Sequence, residues 1–532
     1  MYFAERLAAL ANTHHHHPAL IDRDVPISFG DLHARVGQRA AAFARLGVAA
    51  GDRVAIWLPN CLAWVESFLA CAHLGAIVLA VNTRFRSQEV ADIMGRARAD
   101  WLVMWPDFKG IAFADILADV PHEALARLRG IFTIDMTGTG HAARGIAGRG
   151  IAVHDYASIV QTADTAPAAH GNASVLCYTT SGTTSLPKFV LHDQRTLLHH
   201  GDVMQHAYGY DRDCRIFAST PFCGAFGFST LLGGLASGTT VVCEPASDTE
   251  STLAQIRRHG ITHTYANNES ILRLLEAAIS PEDFRSCKLF GFASFSPASG
   301  ELIALAKRNG LELTGLYGSS ELQALTAAQP LNDTDGDTSV RYLAGGTLIH
   351  PQARVRARDP QTGELLPHGE SGELEILSPS LMCGYLDDPQ ASARAITSDG
   401  FFKTGDLGYS VSDRQFVFQT RMGDSLRLSG FLVNPSEIEH AVEAIDGIQA
   451  CQVVGASHAG RIVPFAFVIL QPGQTADPQA WAAHCKRIMA GFKVPVRFEC
   501  IAEFPVVMSA NSNKVQKNRL REIADALMAG EA

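Results

Sequence analysis

The sequence predicts an α/β fold: a large amino-terminal α/β domain of several subdomains, one of them β-rich, followed by a small α+β domain. Three observations predict this organisation. Short apolar runs alternate with amphipathic helical patterns, which is typical of βαβ units and a parallel sheet. After about residue 340, Gly, Pro and Asp become frequent and short β-like segments appear. The length of 532 residues also exceeds what one small domain needs.

The amino-terminal part begins with clearly marked elements. Residues 28–48 carry apolar residues at helical spacing, with Ser28 at the expected N-cap and Gly47 at the expected C-cap. A predicted strand, helix and strand follow at 52–58, 63–74 and 76–81. The alternation returns later, with helical segments at 202–208, 231–235, 253–259, 270–278 and 301–307 and strands at 215–219, 239–243, 262–265, 289–292 and 311–315.

The carboxyl-terminal part has a different pattern. Short β-like segments are predicted at 353–357, 372–377 and 415–419. From residue 431 a smaller α+β unit is predicted, with helices at 435–445 and 478–489 and strands at 450–454 and 465–470. We expect the linker within 421–430, which divides the chain into domains 1–422 and 423–532.

Composition excludes several classes of function. Lys and Arg number 44 against 54 Asp and Glu, so the net charge is −10, and no basic run is present. This argues against nucleic-acid binding. The eleven cysteines form no C-x-x-C pair, which disfavours a zinc ribbon or a disulfide framework and favours a reducing cytoplasm. The most apolar stretch, 63–81, contains Glu66 and His73, so we expect no integral membrane segment.

The most informative segment is Tyr178-Thr-Thr-Ser-Gly-Thr-Thr-Ser-Leu-Pro-Lys188, which follows a predicted strand at 173–177. Small and hydroxyl-bearing residues let backbone N–H groups converge on an anion, and Lys188 adds a positive charge. The same composition also fits a solvated surface loop. The segment lacks the G-x-x-x-x-G-K-S/T pattern, which disfavours P-loop NTPase chemistry.

Four further segments follow in the chain. They are Tyr317-Gly-Ser-Ser-Glu321, Lys403-Thr-Gly-Asp406, the stretch 421–439 that begins with Arg421 and ends in Glu-Ile-Glu, and Asn511-Ser-Asn-Lys-Val-Gln-Lys517. Taken singly, each is more often a turn or a solvated charge. Their order along one chain is what makes them specific.

In these five segments the chain resembles the superfamily of adenylate-forming, AMP-binding enzymes. This superfamily includes acyl- and aryl-CoA synthetases, peptide-synthetase adenylation domains and firefly-type luciferases. The resemblance covers essentially the whole chain. It implies an ATP-dependent, AMP-forming carboxylic acid–CoA ligase that makes an acyl-adenylate and then a thioester, with ATP, Mg²⁺ and coenzyme A as its cofactors and a small carboxylic acid as its substrate.

The resemblance implies roles for individual residues of this chain. Tyr317 would stack on adenine, the hydroxyl of Ser320 would meet the α-phosphate, and Glu321 would bind Mg²⁺. The catalytic residues would be Lys514, Thr184 and Glu321. The remaining nucleotide contacts would come from Thr180, Ser181, Gly182, Thr183, Lys188, Asp406 on the ribose hydroxyls and Arg421.

The resemblance also implies that the small domain is mobile and rotates between the two half-reactions. Gly423 stands where the family has its hinge residue, usually Asp or Lys, and Asp424 lies beside it. Gly430 would let the pantetheine chain of CoA pass close to the backbone. This chain departs from the family pattern at Ser185, Phe189 and Asn513, which replace glycines, and at Gly423 itself.

The acyl pocket is expected around six residues: Phe222, Gly224, Phe226, Asn267, Phe292 and Ala293. Gly224 stands where many relatives have histidine, which opens room beside the phenylalanines. The aromatic residues indicate an apolar or aromatic acyl group, although aromatic residues in an α/β domain are more often plain core. Asn267 and Asn268 would hydrogen-bond a polar substituent or simply begin the helix that follows.

Two other functions stay open. An adenylating enzyme could pass the acyl group to the phosphopantetheine of a carrier protein, but we expect no fused carrier domain after Lys514. A non-catalytic nucleotide-binding homologue is compatible with the altered loop glycines. The charged and carboxylate residues of the motifs are all present, which favours the ligase. The sequence does not indicate the oligomeric state.

Overall fold

The computed structural model describes most of the chain. The described residues are 2–134, 150–159, 173–180, 188–245, 248–293, 300–329, 345–424, 426–428, 431–458, 461–489, 491–508 and 513–529. Their α-helices are α1 (Phe3–Thr13), α2 (Phe29–Leu46), α3 (Leu62–Leu74), α4 (Ser87–Arg96), α5 (Phe113–Ala118), α6 (Gln194–Tyr208), α7 (Ala225–Ser237), α8 (Thr249–His259), α9 (Asn268–Ala277), α10 (Gly300–Arg308), α11 (Pro389–Ala395), α12 (Pro435–Glu443), α13 (Pro478–Ile488) and α14 (Lys517–Ala529).

The strands fall into two long series. Those before residue 330 are β1 (Pro18–Asp22), β2 (Val25–Ser28), β3 (Arg53–Trp57), β4 (Ile77–Ala80), β5 (Trp101–Met104), β6 (Gly130–Thr133), β7 (Ala152–Asp155), β8 (Ser174–Thr180), β9 (Lys188–Asp193), β10 (Arg215–Phe217), β11 (Thr240–Cys243), β12 (His263–Ala266), β13 (Leu289–Ala293), β14 (Leu313–Ser319) and β15 (Gln323–Ala328).

Those after residue 344 are β16 (Gly345–Leu348), β17 (Arg354–Arg358), β18 (Leu365–Leu366), β19 (Gly372–Leu377), β20 (Gly384–Tyr385), β21 (Phe402–Ser410), β22 (Gln415–Arg421), β23 (Leu426–Leu428), β24 (Phe431–Val433), β25 (Ile448–His458), β26 (Arg461–Leu470), β27 (Arg497–Cys500), β28 (Val506–Met508) and β29 (Asn513–Val515).

The first large sheet has eight strands in the order β20-β9-β8-β4-β3-β5-β6-β7. Strands β3 to β8 pair in parallel, whereas β9 runs antiparallel to β8 and β20 runs antiparallel to β9. The residues of β5 and β6 are buried throughout, as expected for parallel strands covered on both faces. The strand that follows the phosphate-loop segment therefore lies next to one edge of this sheet, with β20 outside it.

The second large sheet has fourteen strands in the order β18-β17-β19-β21-β22-β16-β15-β14-β13-β12-β10-β11-β1-β2. The run from β14 to β1 is parallel, and the run from β15 to β18 is antiparallel. The β-rich part expected after residue 340 is therefore not a separate layer, because its strands continue the sheet of the α/β part through β15 and β16.

The local signals that mark α2 act as expected. The Ser28 hydroxyl accepts a hydrogen bond from the backbone N–H of Asp31, and Gly47 ends the helix with φ of 101°, a conformation that favours glycine. The carboxyl-terminal unit consists of the sheet β25-β26-β27 with α12, α13 and α14 packed against it. The predicted α/β class, with a large amino-terminal part and a small carboxyl-terminal α+β part, is confirmed.

Within the described ranges, no helix combines the length and the apolar composition that crossing a bilayer requires.

Candidate active site

Three predicted site residues lie at or near the carboxyl ends of adjacent parallel strands. Asn267 follows β12, Ala293 ends β13 and Tyr317 lies near the end of β14. The registers align these ends, since Ala266 pairs with Phe292 and Ala293 pairs with Leu316. Ligands of α/β sheets bind in crevices at the carboxyl ends of the strands. The topology therefore brings these residues to one edge of the fourteen-stranded sheet.

Tyr317, Asp406 and Arg421 are in direct contact. The Tyr317 hydroxyl donates a hydrogen bond to Oδ2 of Asp406 over 2.5 Å. Nε of Arg421 lies 2.9 Å from Oδ1 of the same carboxylate, because Asp406 on β21 pairs directly with Arg421 on β22. Two of these residues are almost fully buried, with exposed fractions of 8% for Tyr317 and 2% for Asp406. Three separate sequence segments therefore meet at one carboxylate.

The pKa shifts of Tyr317 and Arg421 agree with these contacts. Burial raises the pKa of the Tyr317 hydroxyl well above its ordinary value, and the nearby carboxylate of Asp406 raises it further. The hydroxyl is therefore protonated near neutrality and acts as the donor. The same carboxylate raises the pKa of Arg421, so the guanidinium keeps its charge. The Asp406 carboxylate is compensated by a cation and a hydrogen bond, as a buried charge requires.

The backbone around Asp406 is held by neighbouring residues. The Thr404 hydroxyl donates to the carbonyl of Leu374 over 2.6 Å and accepts from the backbone N–H of Asp406 over 3.0 Å. Gly405 adopts φ of 68°, and its carbonyl accepts from the N–H of Met422 over 2.9 Å. The Thr-Gly-Asp segment therefore belongs to strand β21, at a point where its pairing with β19 shifts register, and its Asp406 side chain contacts Tyr317.

Ser320 and Glu321 lie just beyond β14 and are tied to the other large sheet. Nε2 of His192, on β9, donates to the carbonyl of Ser320 over 2.7 Å. Burial lowers the pKa of His192 to about 4, so the ring is neutral near pH 7. The backbone N–H of Met382 donates to the carbonyl of Glu321 over 2.7 Å. The segment that carries the predicted magnesium ligand is therefore anchored from two sides.

Lys188 begins β9 and pairs with Thr180 at the end of β8. The backbone therefore places Lys188 at the base of the predicted phosphate loop. Its neighbour Phe189, which stands in place of a family glycine, is buried, and the guanidinium of Arg96 lies 4.8 Å from its ring centre. Phe189 is thus part of the sheet core.

Sequence reasoning missed Tyr385. Its hydroxyl donates to Oε1 of Glu321 over 3.1 Å, and Nζ of Lys188 lies 4.6 Å from the centre of its ring. It joins the two predicted residues through one side chain. A Gly-Tyr dipeptide in a β-rich segment carries no signal that would have singled it out.

The donor set fits Mg²⁺ held together with phosphate. Within the described residues, no group of three or more His, Cys, Asp and Glu side chains could hold a metal ion by itself. Glu321 offers one carboxylate, and Mg²⁺ usually keeps several waters and binds one or two carboxylates plus substrate phosphates. The carboxylate of Asp406 is suited to ribose hydroxyls, since it accepts hydrogen bonds only. The residues present therefore fit a magnesium–nucleotide complex.

The predicted acyl-pocket residues lie in two different core clusters. Phe222 and Phe226 belong to the cluster that contains Trp64 and Tyr265, with ring centres 5.3 Å apart for Trp64 and Phe222. Phe292 belongs to the cluster on α8, α9 and α10. All three phenylalanine side chains are buried core residues in this structure. Their contact with an acyl group stays a prediction.

Two polar or small members of the predicted pocket begin helices. Gly224 is the N-cap residue of α7, with extended backbone dihedrals. Oδ1 of Asn267 accepts a hydrogen bond from the N–H of Ser270 over 2.8 Å, so Asn267 caps α9. Of the two interpretations of this residue, the structure supports the start of a helix.

The predicted hinge residue, Gly423, lies two residues beyond the end of β22. Gly423 is exposed, and its carbonyl accepts a hydrogen bond from Nη2 of Arg521, on α14, over 3.0 Å. The N–H of Asp424 donates to the carbonyl of Arg421 over 2.9 Å. A Cβ atom added at Gly423 would meet no atom of the described residues within 4 Å. The conformation present therefore does not require glycine at this position.

Lys514 lies in β29, opposite Val507 of β28. The next helix begins with Lys517, whose Nζ lies 2.7 Å from Oε1 of Glu439. The same carboxylate oxygen accepts from the N–H of Val453 over 2.8 Å. Glu439 thus ties the start of α14, and with it the strand of Lys514, to α12 and β25.

Several predicted residues lie outside the described residues. They are Ser181, Gly182, Thr183, Thr184, Ser185 and Gly430. The side chains of Thr180, Asn268, Ala293, Asn513 and Lys514 also fall outside, although their backbones are described.

Two family models match this chain. A family model described as AMP-binding enzyme matches residues 7–386, and one described as AMP-binding enzyme C-terminal domain matches residues 437–510. The chain is 31% identical over 521 residues to a (7a-methyl-1,5-dioxo-octahydro-1H-inden-4-yl)propanoyl:CoA ligase of Mycobacterium tuberculosis, covering 95% of this chain and 96% of the relative. A ligase of the same name from Rhodococcus jostii is 29% identical over 527 residues, covering 95% of each protein.

The fold is also similar to a solved structure. O-succinylbenzoate CoA synthetase from Bacillus subtilis, in complex with ATP and magnesium ion, matches with a TM-score of 0.79 and 21% identity, covering 97% of this chain and 98% of that chain. These matches confirm the resemblance that the five ordered motifs predicted. The chain therefore belongs to the AMP-binding enzyme family, in which it is an AMP-forming acid–thiol ligase of the acyl-CoA synthetase type.

Proposed function

We propose that this ligase joins a carboxylic acid with an apolar or aromatic acyl group to coenzyme A, using ATP and Mg²⁺, through an acyl-adenylate. The observation that carries the proposal is the contact of Tyr317 and Arg421 with the Asp406 carboxylate. Glu321 and Lys188 support it, since Tyr385 contacts both. The groups that would contact adenine, ribose, metal and phosphate thus come from separate segments of the chain.

In the first half-reaction an oxygen of the substrate carboxylate bonds to the α-phosphorus of ATP, and pyrophosphate leaves with the electrons of the broken P–O bond. Both reactants are anions, so the site must offset their repulsion. Lys188 and the segment 180–184 would hold the β- and γ-phosphates, and Lys514 would lie between the carboxylate and the α-phosphate. Glu321 would hold Mg²⁺, which supplies further neutralisation of phosphate charge when bound.

In the second half-reaction the thiol sulfur of CoA bonds to the acyl carbon, AMP leaves, and the thiol proton goes to solvent. The domain of residues 423–532 would rotate about Gly423 between the two steps, so that Lys514 leaves the site and Gly430 faces it. The position of Gly423 supports this hinge, because this exposed residue lies in the short connection between the end of β22 at Arg421 and the start of β23 at Leu426. A cytoplasmic location, which the cysteine pattern favours, stays a prediction.

The acid is proposed by class. Phe222 and Phe226 lie after the carboxyl end of β10, on the side of the sheet where Tyr265 lies. Their apolar surface supports an apolar or aromatic acyl group. The relatives from Mycobacterium tuberculosis and Rhodococcus jostii are named for a bicyclic propanoyl substrate, which is a second reason to test large apolar acids.

The decisive experiment is ATP–pyrophosphate exchange with a panel of short, medium-chain, aromatic and bicyclic carboxylic acids, each with and without Mg²⁺. Acid-dependent exchange that requires Mg²⁺ is expected with at least one apolar acid. Addition of CoA should then yield a thioester and AMP in equal amounts. Lys493→Ala, on the small domain but paired with Glu437 at the surface, is a matched control that should behave as the native enzyme does.

Other outcomes would point to the alternatives. Exchange without thioester formation from CoA, but with transfer to a phosphopantetheinyl carrier protein, would indicate a carrier-loading enzyme. Nucleotide binding without exchange for any acid would indicate a non-catalytic homologue. Exchange restricted to small polar acids would contradict the proposed class of acid and would still support the ligase activity.

A further inference from the structure

Tyr385 contacts two groups of the nucleotide site at once. Its hydroxyl donates to the Glu321 carboxylate, while its ring faces the ammonium group of Lys188. The tyrosine side chain is nearly buried, with 7% exposed. A buried residue that touches both the candidate metal carboxylate and the candidate phosphate lysine can influence the placement of each.

The backbone around Tyr385 is pinned on several sides. β20 pairs with β9, with Tyr385 opposite Val190. The backbone N–H of Met382 donates to the carbonyl of Glu321 over 2.7 Å, and that of Cys383 donates to the carbonyl of Leu191 over 2.8 Å. The N–H of Leu386 donates to the carbonyl of Phe189 over 2.8 Å. The N–H of Tyr385 itself donates to the Ser392 hydroxyl over 2.8 Å. The tyrosine is therefore held by the same strand that carries Lys188.

Gly384 lies directly before Tyr385 in β20. Its φ is 145°, and a Cβ atom at this position would lie 3.0 Å from Oγ of Ser392. Such a conformation favours glycine. The backbone conformation thus explains why a glycine precedes Tyr385, and the sequence alone does not reveal this.

Each contact has a distinct physical effect. A carboxylate rotates about its last torsion unless a donor fixes it, and the Tyr385 hydroxyl is such a donor. Burial and the Glu321 carboxylate raise the pKa of Tyr385 above its ordinary value, so the hydroxyl keeps its proton. The aromatic face attracts the ammonium of Lys188 and restricts a long side chain that is otherwise exposed.

We propose that Tyr385 is a positioning residue of the nucleotide site, whose hydroxyl orients Glu321 toward Mg²⁺ and whose ring orients Lys188 toward the phosphates. This inference rests on the proposed function. Because the hydroxyl and the ring serve different groups, the two effects separate by substitution. Tyr385→Phe removes the hydroxyl and keeps the ring, whereas Tyr385→Leu and Tyr385→Met remove both.

The test measures equilibrium binding of ATP by calorimetry without any acid, so that no turnover contributes. For Tyr385→Phe, the Mg²⁺ concentration that gives half-maximal enhancement of ATP binding should rise about tenfold, the range seen when partners of metal ligands are removed. ATP binding without Mg²⁺ should stay within about twofold of native, because Lys188 still faces a ring. The leucine and methionine variants should show the same metal shift and bind metal-free ATP about threefold more weakly.

Two controls isolate the effect. Tyr156→Phe removes another buried hydroxyl that donates to a carboxylate, that of Glu66 over 3.3 Å, far along the chain from the site. It should leave the Mg²⁺ dependence unchanged. In a Glu321→Gln background, Tyr385→Phe should add no further change in Mg²⁺ dependence, since partners that act through one group are not additive. A thermal melt identifies folded variants.

Failure of the proposed function and failure of the inference about Tyr385 give different results. A native protein that does not bind ATP would refute the proposed function. Native binding that depends on Mg²⁺, together with an unchanged Mg²⁺ dependence in Tyr385→Phe, would overturn the inference alone. A tenfold shift that persists in the Glu321→Gln background would also overturn it, because the hydroxyl would then act through another group. Metal-free ATP binding equal to native in a folded Tyr385→Leu or Tyr385→Met variant would remove the effect on Lys188.

Discussion

The hydroxyl of Tyr317 and the carboxylate of Asp406 are joined by a hydrogen bond of 2.5 Å, although 89 residues separate them in the chain. Tyr317 lies beside β21 because its ring packs against Phe416 and Phe418 of β22, the strand that pairs with β21. Arg421, paired with Asp406 across β21 and β22, supplies the positive charge that a buried carboxylate needs. The proposed adenine and ribose contacts are thereby coupled through one buried carboxylate.

Asp406→Asn should weaken AMP binding by about 10- to 100-fold, because hydrogen bonds to a charged group contribute about 1.5–3 kcal/mol. The substitution keeps the size of the side chain and removes its charge. Calorimetry with AMP and with 2′,3′-dideoxy-AMP checks the ribose assignment. The native protein should discriminate between the two nucleotides, and the variant should not. Equal discrimination by both proteins would remove Asp406 from the ribose site.

Lys514→Ala should reduce adenylate formation by about 10²–10³-fold, since a positive partner of the developing charge is lost. Thioester formation from pre-made acyl-adenylate should remain close to native, because Lys514 is proposed to leave the site in that step. Single-turnover measurement of each half-reaction tests this, with Lys493→Ala as the control on the same domain. Equal losses in the two half-reactions would contradict the rotation of the small domain.

Local sequence signals and ordered motifs were sufficient to predict several elements of the structure. The cap residues Ser28 and Gly47 delimit α2, because both act within one turn of the helix. The predicted strand 372–377 matches β19 residue for residue. The motif residues Tyr317, Asp406 and Arg421 are in contact, and their roles at the nucleotide stay predictions. Such features depend on neighbours in sequence or on a pattern spread along the whole chain.

Long-range pairing was harder to predict. The β-rich part continues the main sheet because β16 pairs with both β15 and β22, and nothing in the short strands specifies those partners. Tyr385 was missed for the same reason, since its importance arises from a strand pairing between β20 and β9. Phe189 replaces a family glycine, and its side chain packs in the core beside Arg96, which only the tertiary structure reveals.

A buried histidine pair predicts how stability depends on pH. Nε2 of His200 donates to the carbonyl of Ala324 over 2.7 Å, so its Nδ1 accepts from Nε2 of His350 at 3.1 Å. Burial lowers the pKa of His200 to about 3 and that of His350 to about 4. In the unfolded chain both would have a pKa near 6.5. As the pH falls from 6.5 toward 4, the unfolded state binds protons that the folded state does not, so stability decreases.

His350→Gln should therefore reduce the acid sensitivity. At pH 5 one such histidine lowers the free energy of unfolding by about 2 kcal/mol relative to pH 7. The difference between the apparent Tm at pH 7 and that at pH 5 should be smaller in the variant by about 2 °C or more. His122→Gln, at an exposed position, is the matched control and should leave this difference unchanged. An identical pH dependence in His350→Gln would show that the pair does not set it.

The hinge can be tested by two substitutions at Gly423. In the conformation described, a Cβ atom at this position meets no described atom within 4 Å, so Gly423→Ala should fold normally and keep whichever half-reaction uses that conformation. Gly423→Pro, which restricts φ to about −65°, should give near-native pyrophosphate exchange and little acyl-CoA, because rotation to the thioester-forming arrangement needs different backbone dihedrals. Single-turnover kinetics of each step, with a thermal melt to verify folding, measure this separation.

Gly491→Ala, at another exposed glycine of the small domain where an added Cβ would meet no described atom within 4 Å, is the matched control. Parallel changes in the two half-reactions of Gly423→Pro would show that Gly423 is only a turn residue and would shift the hinge assignment to Asp424.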